Sequence, residues 1–285
     1  MTPVNIMDGF LIINKPVGMT SHDVVNRVRR TLHTKKVGHA GTLDPAASGV
    51  LVVAVGRATK ALQFIVAKTK TYEATLTLGK ATDTFDQEGF VTAEVPFTGV
   101  NGVEETLKSF LGDSMQKPPK YAAIKVNGRK LYEYAREGID IEVPPRPVTI
   151  YDIELLEHHD ADIRFSVTCS KGTYIRSLCV DVAEKLGYPG YMSALTRMAI
   201  GDFTLDRSVT LEQLEAGEFT MMSLDEVFQS YDVYVCEDPV WVKTGRKLDV
   251  SYDHDIAVYD KDGHVLAVYG PDGQGQMKCL RGLWA

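Results

Sequence analysis

Alternation of apolar and polar residues marks two stretches of the chain and is the pattern of a half-buried β-strand. In residues 71–79 every second position, beginning with Tyr72, is aromatic or aliphatic, and threonines and a glutamate lie between them. Residues 163–169 alternate in the same way. The first pattern directs Tyr72 toward the core or toward a cleft that lines the core.

Two uninterrupted apolar runs also predict strands. One covers Phe10–Asn14, and the other is the run VLVVAV between Gly49 and Gly56. A strand that is buried on both faces is apolar throughout and shows no alternation. We therefore expect the second run to form a buried strand.

Apolar residues at helical spacing predict four helices. The first begins after a capping residue, Thr20 or Ser21, and the last ends at Gly187. The first helix has the apolar stripe Val24, Val25, Val28 and Leu32, and the fourth has Leu178, Val182 and Leu186. The second and third helices are expected at residues 104–111 and 131–136.

Short strand patterns and turn residues fill the last fifty or so residues. The predicted strands are Val233–Cys236, Asp255–Tyr259 and His264–Tyr269, with a hairpin turn at Asp262-Gly263. We expect two domains: residues 1–230, and a small all-β domain of residues 231–285 that packs against the main body. The predicted fold class is mixed α/β, that is α+β with a largely antiparallel sheet.

The composition is that of a soluble globular protein. Of the 285 residues, 44% are hydrophobic and 24% are charged, and no run approaches the ~18 apolar residues of a membrane span. The first ten residues lack the basic and apolar regions of a signal peptide. The four cysteines form no CxxC pair, which argues against a disulfide framework and a zinc site. We expect a cytoplasmic protein with no bound metal and no membrane partner.

The formal net charge of −7 conceals an uneven distribution. Residues 1–72 carry +7 and residues 116–148 carry +3, whereas residues 83–115 carry −6 and residues 211–285 carry −8. A polyanion responds to the local electrostatic field and not to the net charge of the whole chain. Two basic segments are therefore compatible with RNA binding, and ordinary solvated charge is the alternative interpretation.

The loop Gly38–Pro45, with the sequence GHAGTLDP, places a single carboxylate, Asp44, in front of the buried run. The following proline biases Asp44 toward an extended backbone, and glycines let main chain approach a ligand closely. An acid at the mouth of a rigid sheet is presented like a nucleophile. The alternative is a plain Asp-Pro turn.

Basic and aromatic residues are interleaved in residues 116–148, a composition that suits phosphate contacts and base stacking. Farther along, Tyr174 and Arg176 share one face if their segment is extended. Arginine is always charged and forms bidentate hydrogen bonds with carboxylates. If Arg176 contacts Asp44, it would keep that acid ionised and correctly oriented. The alternative is that Arg176 is an ordinary surface arginine. The stretch Thr82–Gly89 lacks the ligand spacing of a calcium loop and predicts a turn between two strands.

Eight stretches in sequence order resemble the TruB family of tRNA pseudouridine synthases, and together they cover most of residues 10–200. They are INKPVGMTS (13–21), GHAGTLDPAASGVL (38–51), GRATK (56–60), KTYEATLTLG (70–79), TDTFDQEG (82–89), PPKYAAIKVNGRKLYEYAREG (118–138), CSKGTYIRSL (169–178) and LTR (195–197).

The resemblance implies roles for three catalytic residues. Asp44 corresponds to the catalytic aspartate of the family. Tyr72 corresponds to the tyrosine that stacks on the target base and has been assigned a proton-transfer role. Arg176 corresponds to the arginine that pairs with the catalytic acid.

It also implies residues that bind the substrate RNA. His39 corresponds to the histidine that holds the RNA loop in its opened form, and Tyr174 and Leu195 correspond to residues lining the base pocket. Residues 116–148 are similar to an inserted arm that grips RNA, and the end domain is similar to a PUA-type RNA-binding module. The basic residues to which we assign RNA contacts are Lys15, Lys60, Lys125, Arg129 and Lys130.

The implied reaction detaches a uridine at its glycosidic bond, turns the base and rejoins it through carbon 5. The implied substrate is the uridine at position 55, in the TΨC loop of tRNA. The reaction involves no net redox change, so we expect no cofactor, in agreement with the missing glycine fingerprint. A base must be extruded from its stack for such chemistry, at a cost of a few kcal/mol. We expect a monomer with no obligate protein partner, and a tRNA-binding or folding protein is the alternative function.

Two departures from the family pattern stand out. The arm usually reads PPxYSA, whereas here Ala122 stands in place of the serine, which removes one hydroxyl. Residues 211–285 are acidic, which is unusual for a module that touches RNA. We therefore expect the end domain to add little to RNA affinity, unless Lys243, Arg246, Lys247, Lys278 and Arg281 build one basic face.

Overall fold

The computed structural model describes residues 8–122 and 124–284, so residues 1–7, Ala123 and Ala285 lie outside the described part. Its strands are β1 (Gly9–Lys15), β2 (Val37–Ala40), β3 (Ser48–Val55), β4 (Lys70–Leu78), β5 (Lys80–Thr82), β6 (Val91–Glu94), β7 (Gly112–Gln116), β8 (Lys125–Val126), β9 (Arg129–Lys130), β10 (Arg146–His159), β11 (Asp162–Cys169), β12 (Gly190–Ile200), β13 (Phe203–Thr204), β14 (Asp232–Val235), β15 (Ile256–Tyr259), β16 (Val265–Pro271) and β17 (Met277–Gly282).

Its helices are α1 (Ser21–Thr31), α2 (Leu62–Ala67), α3 (Val103–Lys108), α4 (Leu131–Arg136), α5 (Ile175–Lys185), α6 (Leu211–Glu215), α7 (Leu224–Phe228) and α8 (Pro239–Lys243). All four helices expected from apolar spacing are present. Thr20 caps α1 in a capping box with Asp23, and α5 ends two residues before Gly187, which adopts a φ of +84°.

A nine-stranded sheet forms the main body. Its strand order is β1-β3-β12-β4-β11-β10-β7, with β2 paired to β3 and β13 paired to β12. The pairs are antiparallel except for the contact between β3 and β12. This sheet, the helices around it and the separate C-terminal sheet confirm the predicted mixed α/β class with largely antiparallel pairing.

The two halves of this sheet are buried differently. The half built on β4, β10 and β11 packs one face against α3 and α5, and its other face is only partly buried, as in the alternating burial of β4. The half built on β1 and β3 is covered on both faces, by α1 and α6 on one side and by α2, α7 and the C-terminal sheet on the other. Burial on both faces explains the uninterrupted apolar run of β3.

Two long strands of the sheet escaped prediction, β10 and β12. Bulges break their register, between Met192 and Ala194 in β12 and between Leu155 and Glu157 in β10. An extra residue moves the following side chains to the opposite face, so strict alternation is lost within the strand.

The C-terminal sheet has the order β14-β15-β16-β17, in which β14 runs parallel to β15. The three predicted strands are present, the turn at Asp262-Gly263 joins the second to the third, and β17 was not predicted. Its residues Tyr259 and Val268 belong to the same apolar cluster as Phe10 and Phe64 of the main body. The sheet therefore packs against the main body as expected, and its removal would expose that core.

The described residues contain no helix long and apolar enough to cross a membrane. Within the same part of the chain no group of three or more His, Cys, Asp or Glu side chains is placed to hold a metal ion. All four cysteines carry free thiols.

Candidate active site

A pocket of about 290 Å³ opens between the main sheet and the arm, a volume at the small end of ligand pockets. Its wall is built from the Asp44 loop, β4, β12, the turn before α5 and the base of the arm. Its lining residues are 41–44, Val66, Lys70, Tyr72, Ala122, Ile124, 170–176, Leu195 and Arg197. Five of the residues assigned to the site, Asp44, Tyr72, Tyr174, Arg176 and Leu195, thus meet in one place.

The backbone beside Asp44 is fixed by the connection between β1 and α1. The Ser21 hydroxyl accepts a hydrogen bond from the Leu43 amide (2.9 Å) and donates one to the Leu43 carbonyl (3.1 Å). The Pro45 carbonyl accepts from the Gly18 amide (2.8 Å). Both neighbours of Asp44 are therefore held, and the carboxylate itself stays 40% exposed toward the pocket.

Lys15 supports this loop and does not face RNA. Its side chain is fully buried, and its Nζ donates to the carbonyls of Pro16 (2.9 Å), Met19 (2.7 Å) and Pro45 (3.4 Å). Burial lowers its pKa to about 8, although the nearby Asp44 acts in the opposite direction. The prediction of an RNA contact for Lys15 is wrong, because an ammonium enclosed by carbonyls cannot reach a phosphate.

Arg176 contacts Asp44. Its Nη2 lies 3.0 Å from Asp44 Oδ2, and the arginine side chain is only 6% exposed. The extended segment assumed in the sequence analysis is wrong, because α5 already begins at Ile175. Tyr174 is the residue before that helix and Arg176 lies in its first turn, so the helix aims the guanidinium at the carboxylate.

A second carboxylate, Asp86, was missed by the sequence analysis, which treated its loop as a simple turn. Asp86 is buried, and its Oδ2 lies 3.4 Å from Arg176 Nη1. The Thr84 hydroxyl (2.6 Å) and the Glu88 amide (3.1 Å) both donate to its Oδ1. The presence of TDTFDQEG among the family-like stretches was the available sign that this turn is more than a connection between two strands.

Arg176 also binds two backbone carbonyls. Its Nη1 donates to the Thr84 carbonyl (3.0 Å) and its Nη2 to the Tyr121 carbonyl (2.9 Å). The guanidinium thus joins the Asp44 loop, the loop of Asp86 and the base of the arm. Its orientation is fixed from three sides before any ligand binds.

Tyr72 projects from β4 on the apolar face, as its alternating pattern predicted. Burial raises the pKa of its phenol, and the charge of Arg197 opposes that rise, so the ring is a neutral stacking surface at physiological pH. Leu195 lies on the neighbouring strand β12, directly opposite Ala74. Burial also raises the pKa of the phenol of Tyr174, whose backbone amide donates to Gln116 Oε1 (2.8 Å).

Arg197 is a further residue that the sequence analysis left unassigned. It is 1% exposed, and its guanidinium donates to the carbonyls of Val50 (2.7 Å), Gly41 (3.1 Å) and Thr42 (3.4 Å). It therefore ties the Asp44 loop to β3. Gly49 makes this packing possible: its φ is +103°, and a Cβ there would lie 2.3 Å from the Arg197 carbonyl oxygen.

Two residues assigned to RNA binding lie outside the pocket. His39 is partly buried in β2, opposite Val53, and burial lowers its pKa. Lys60 donates to the Trp284 carbonyl (2.5 Å) and so faces the C-terminal sheet.

The arm carries the remaining assigned residues, of which Lys125 and Arg129 are exposed and Lys130 is half-buried. Lys125, Arg129 and Lys130 lie in the hairpin β8–β9, and Arg129 pairs with Glu137. A small core of Ala122, Leu131 and Val143 supports the hairpin. Because Ala122 and Ile124 also line the pocket, the residue that replaces the expected serine serves as an apolar wall.

Chemically, the site presents one oriented carboxylate to a pocket with aromatic and aliphatic walls. The flat ring of Tyr72 and the side chain of Leu195 suit a planar heterocycle, since a base stacks on any aromatic face. The ion pair with Arg176 fixes the orientation of the Asp44 carboxylate toward the pocket. This arrangement suits covalent or acid–base chemistry on a ligand that is held by stacking.

Comparison with known sequences agrees with this site. Residues 29–175 match the family model described as TruB family pseudouridylate synthase, N-terminal domain. Residues 176–235 match the model of the tRNA pseudouridylate synthase B C-terminal domain. The chain is 45% identical over 289 residues to tRNA pseudouridine synthase B of Bacillus subtilis, covering 93% of this chain and 94% of that protein. It is 50% identical over 303 residues to the Bacillus pumilus protein of the same name, covering 96% of each.

Solved structures with the same fold include chains of two protein complexes. The chain superposes on a chain of an archaeal box H/ACA sRNP Nop10–Cbf5 complex with a TM-score of 0.73 and 23% identity, covering 99% of this chain and 88% of that one. A chain of a Cbf5–Nop10–Gar1 complex gives a TM-score of 0.69 and 26% identity, covering 92% of this chain and 78% of the other.

Proposed function

The chain belongs to the TruB family of pseudouridine synthases, and we propose that it converts the uridine at position 55, in the TΨC loop of tRNA, into pseudouridine. The observation that carries the proposal is the Asp44–Arg176 ion pair at the mouth of a pocket walled by Tyr72 and Leu195. A protein that only binds RNA has no need for a carboxylate at this position, because a carboxylate repels the phosphates of RNA. The geometry thus favours an enzyme over a tRNA-binding or folding protein.

The reaction is an isomerisation. The bond from N1 of uracil to C1′ of the ribose breaks, the base turns, and a bond from C5 to C1′ forms. The proton on C5 is released to solvent and N1 regains a proton, so atoms and charge balance. Asp44 supplies the carboxylate for this step, either by adding to C1′ or by removing the proton from C2′.

The other residues hold the base and prevent its loss. Tyr72 stacks on the extruded ring, and its neutral phenol lies beside the reacting centre. Arg176 holds the Asp44 carboxylate in position through its ion pair, and Asp86 pairs with the other nitrogen of the guanidinium. Leu195 and Tyr174 complete the apolar wall that keeps the detached base in place.

The partner in this proposal is the T-arm of tRNA, and the reaction takes place in the cytoplasm without a cofactor or an obligate protein partner. The exposed cations of the arm, such as Lys125, face the phosphates of the stem, and His39 contacts the opened loop. The protein acts as a monomer.

Position 55 is tested by chemical mapping of pseudouridine in an unmodified tRNA transcript after incubation with the protein. We expect one modified position, 55, and none in a transcript that carries cytidine there. A pseudouridine at another position, with position 55 untouched, would overturn the proposed target and leave the family assignment intact.

A further inference from the structure

The charges that line the active-site pocket do not balance. Among the described residues Asp44 is the only carboxylate of the lining, whereas four cations line it: Lys70, Lys171, Arg176 and Arg197. Arg176 is neutralised by Asp44 and Asp86. The other three cations have no carboxylate partner in the part of the chain that the structure describes.

Lys70 is the most unusual of these cations because it is buried. It is 6% exposed, and its Nζ donates to the carbonyls of Val66 (2.5 Å) and Lys68. Burial lowers its pKa to about 8, and the positive charges of Arg197 and Lys171 act in the same direction. A buried ammonium whose charged neighbours are cations is costly, and an anion in the pocket would relieve that cost.

Lys70 and Lys171 lie close to Tyr72, the aromatic residue of the pocket. Lys70 precedes Tyr72 by two residues on the same face of β4, and two residues of a strand span about 7 Å. Cys169 pairs with Lys70 across the sheet, and Lys171 follows Cys169 by two residues. Lys171 is exposed and forms no ion pair among the described residues.

We propose that Lys171, within the positive field of the buried Lys70 and Arg197, forms a subsite for one phosphodiester that flanks the target nucleoside. The proposal rests on the proposed function, because it takes RNA as the ligand. The stacked base occupies the pocket beside Tyr72, and the adjoining phosphate lies one step along β4. This subsite fixes the register of the RNA so that C1′ lies opposite Asp44, a contact that positions the substrate and carries no base specificity.

Lys171 provides the test, since it is exposed and its replacement leaves the core intact. Binding of a T-arm stem-loop RNA is measured over a range of salt concentrations, with Asp44→Asn in every variant to prevent turnover. We expect Lys171→Ala to weaken binding about tenfold at low salt and to reduce the slope of log affinity against log salt by about one. Lys171→Arg retains the charge and should keep both values. Lys261→Ala, at an exposed lysine in the turn between β15 and β16, should match the parent protein.

The phosphate is identified with two further RNAs, in which a neutral methylphosphonate replaces the phosphate on the 5′ or on the 3′ side of the target uridine. When the methylphosphonate replaces the contacted phosphate, Lys171→Ala should lower RNA affinity by less than a further twofold, because the ion pair between Lys171 and that phosphate is already absent. At the other position it should keep its full effect.

An unchanged salt slope in Lys171→Ala, or a full loss with both methylphosphonate RNAs, would overturn the subsite. Either result is separable from failure of the proposed function, because pseudouridine formation in unmodified RNA by the wild-type protein is scored independently.

Discussion

The buried cations beside the pocket and the cations of the arm are placed differently in the fold. Lys15, Lys70 and Arg197 point inward and donate to backbone carbonyls beside the pocket, although two of them belong to the strongly basic stretch of residues 1–72. Lys125 and Arg129 of the arm lie on the surface. The comparison shows that net charge along a sequence counts cations without giving their direction, and only outward cations are free to meet RNA.

The largest expected difference between the two groups is in stability. Lys15→Met leaves the carbonyls that Lys15 serves without their donor, so we expect the free energy of unfolding to fall by about 2 kcal/mol. Turnover should fall about tenfold, because the Asp44 loop loses its support. Lys125→Met should change the free energy of unfolding by less than about 0.5 kcal/mol, and denaturant unfolding of both variants measures the contrast. Equal effects would remove the distinction between inward and outward cations.

A smaller effect appears in the pH dependence of stability. The native pKa of Lys70 is lowered to about 8 from an ordinary value of 10.5, so between pH 8 and 9 the native state releases a proton that the unfolded chain retains. Stability therefore rises with pH in this window. This lysine should contribute about 1 kcal/mol of that rise.

Lys70→Met should remove this contribution to the pH dependence. The difference in free energy of unfolding, wild type minus variant, should therefore increase from pH 8 to pH 9. The matched control, Lys125→Met, should follow the wild-type curve in parallel. A parallel curve for Lys70→Met as well would show that Lys70 titrates as an exposed lysine does.

The smallest expected effect separates the groups by RNA binding. Lys125→Met should weaken binding of a T-arm stem-loop a few-fold and lower the salt slope by about one. Lys278→Met, an exposed lysine of the acidic C-terminal sheet, should change affinity less than twofold. A larger loss in Lys278→Met than in Lys125→Met would reverse our assignment of the RNA surface.

Local features of the fold could be predicted because their causes lie close together in the sequence. The cap of the first helix (predicted at Thr20 or Ser21 and found at Thr20), the orientation of Tyr72 and the stop at Gly187 each depend on a few neighbouring residues. The Asp44–Arg176 contact was foreseen as one of two alternatives, and the structure shows it, although by way of a helix and not of an extended strand.

The residues that were missed or misassigned depend on contacts across the chain. Arg197 serves carbonyls 147 to 156 residues away, and the loop of Asp86 meets Arg176 about 90 residues farther on. Lys15 donates to the nearby carbonyls of Pro16 and Met19, and its third acceptor, the Pro45 carbonyl, lies 30 residues later. No periodicity or local turn pattern contains such information, so a buried cation and a surface cation look alike in sequence.

The most direct test of the catalytic role of Asp44 is tritium release from a T-arm stem-loop RNA labelled at C5 of uridine. Wild type and Asp44→Asn are compared at equal saturation with RNA, and binding of each is measured in parallel. We predict release by wild type and none by Asp44→Asn, with RNA affinity within about threefold of wild type. Release by the variant at a rate comparable to wild type would contradict the assignment of Asp44, and binding by both with release by neither would contradict catalysis on this RNA.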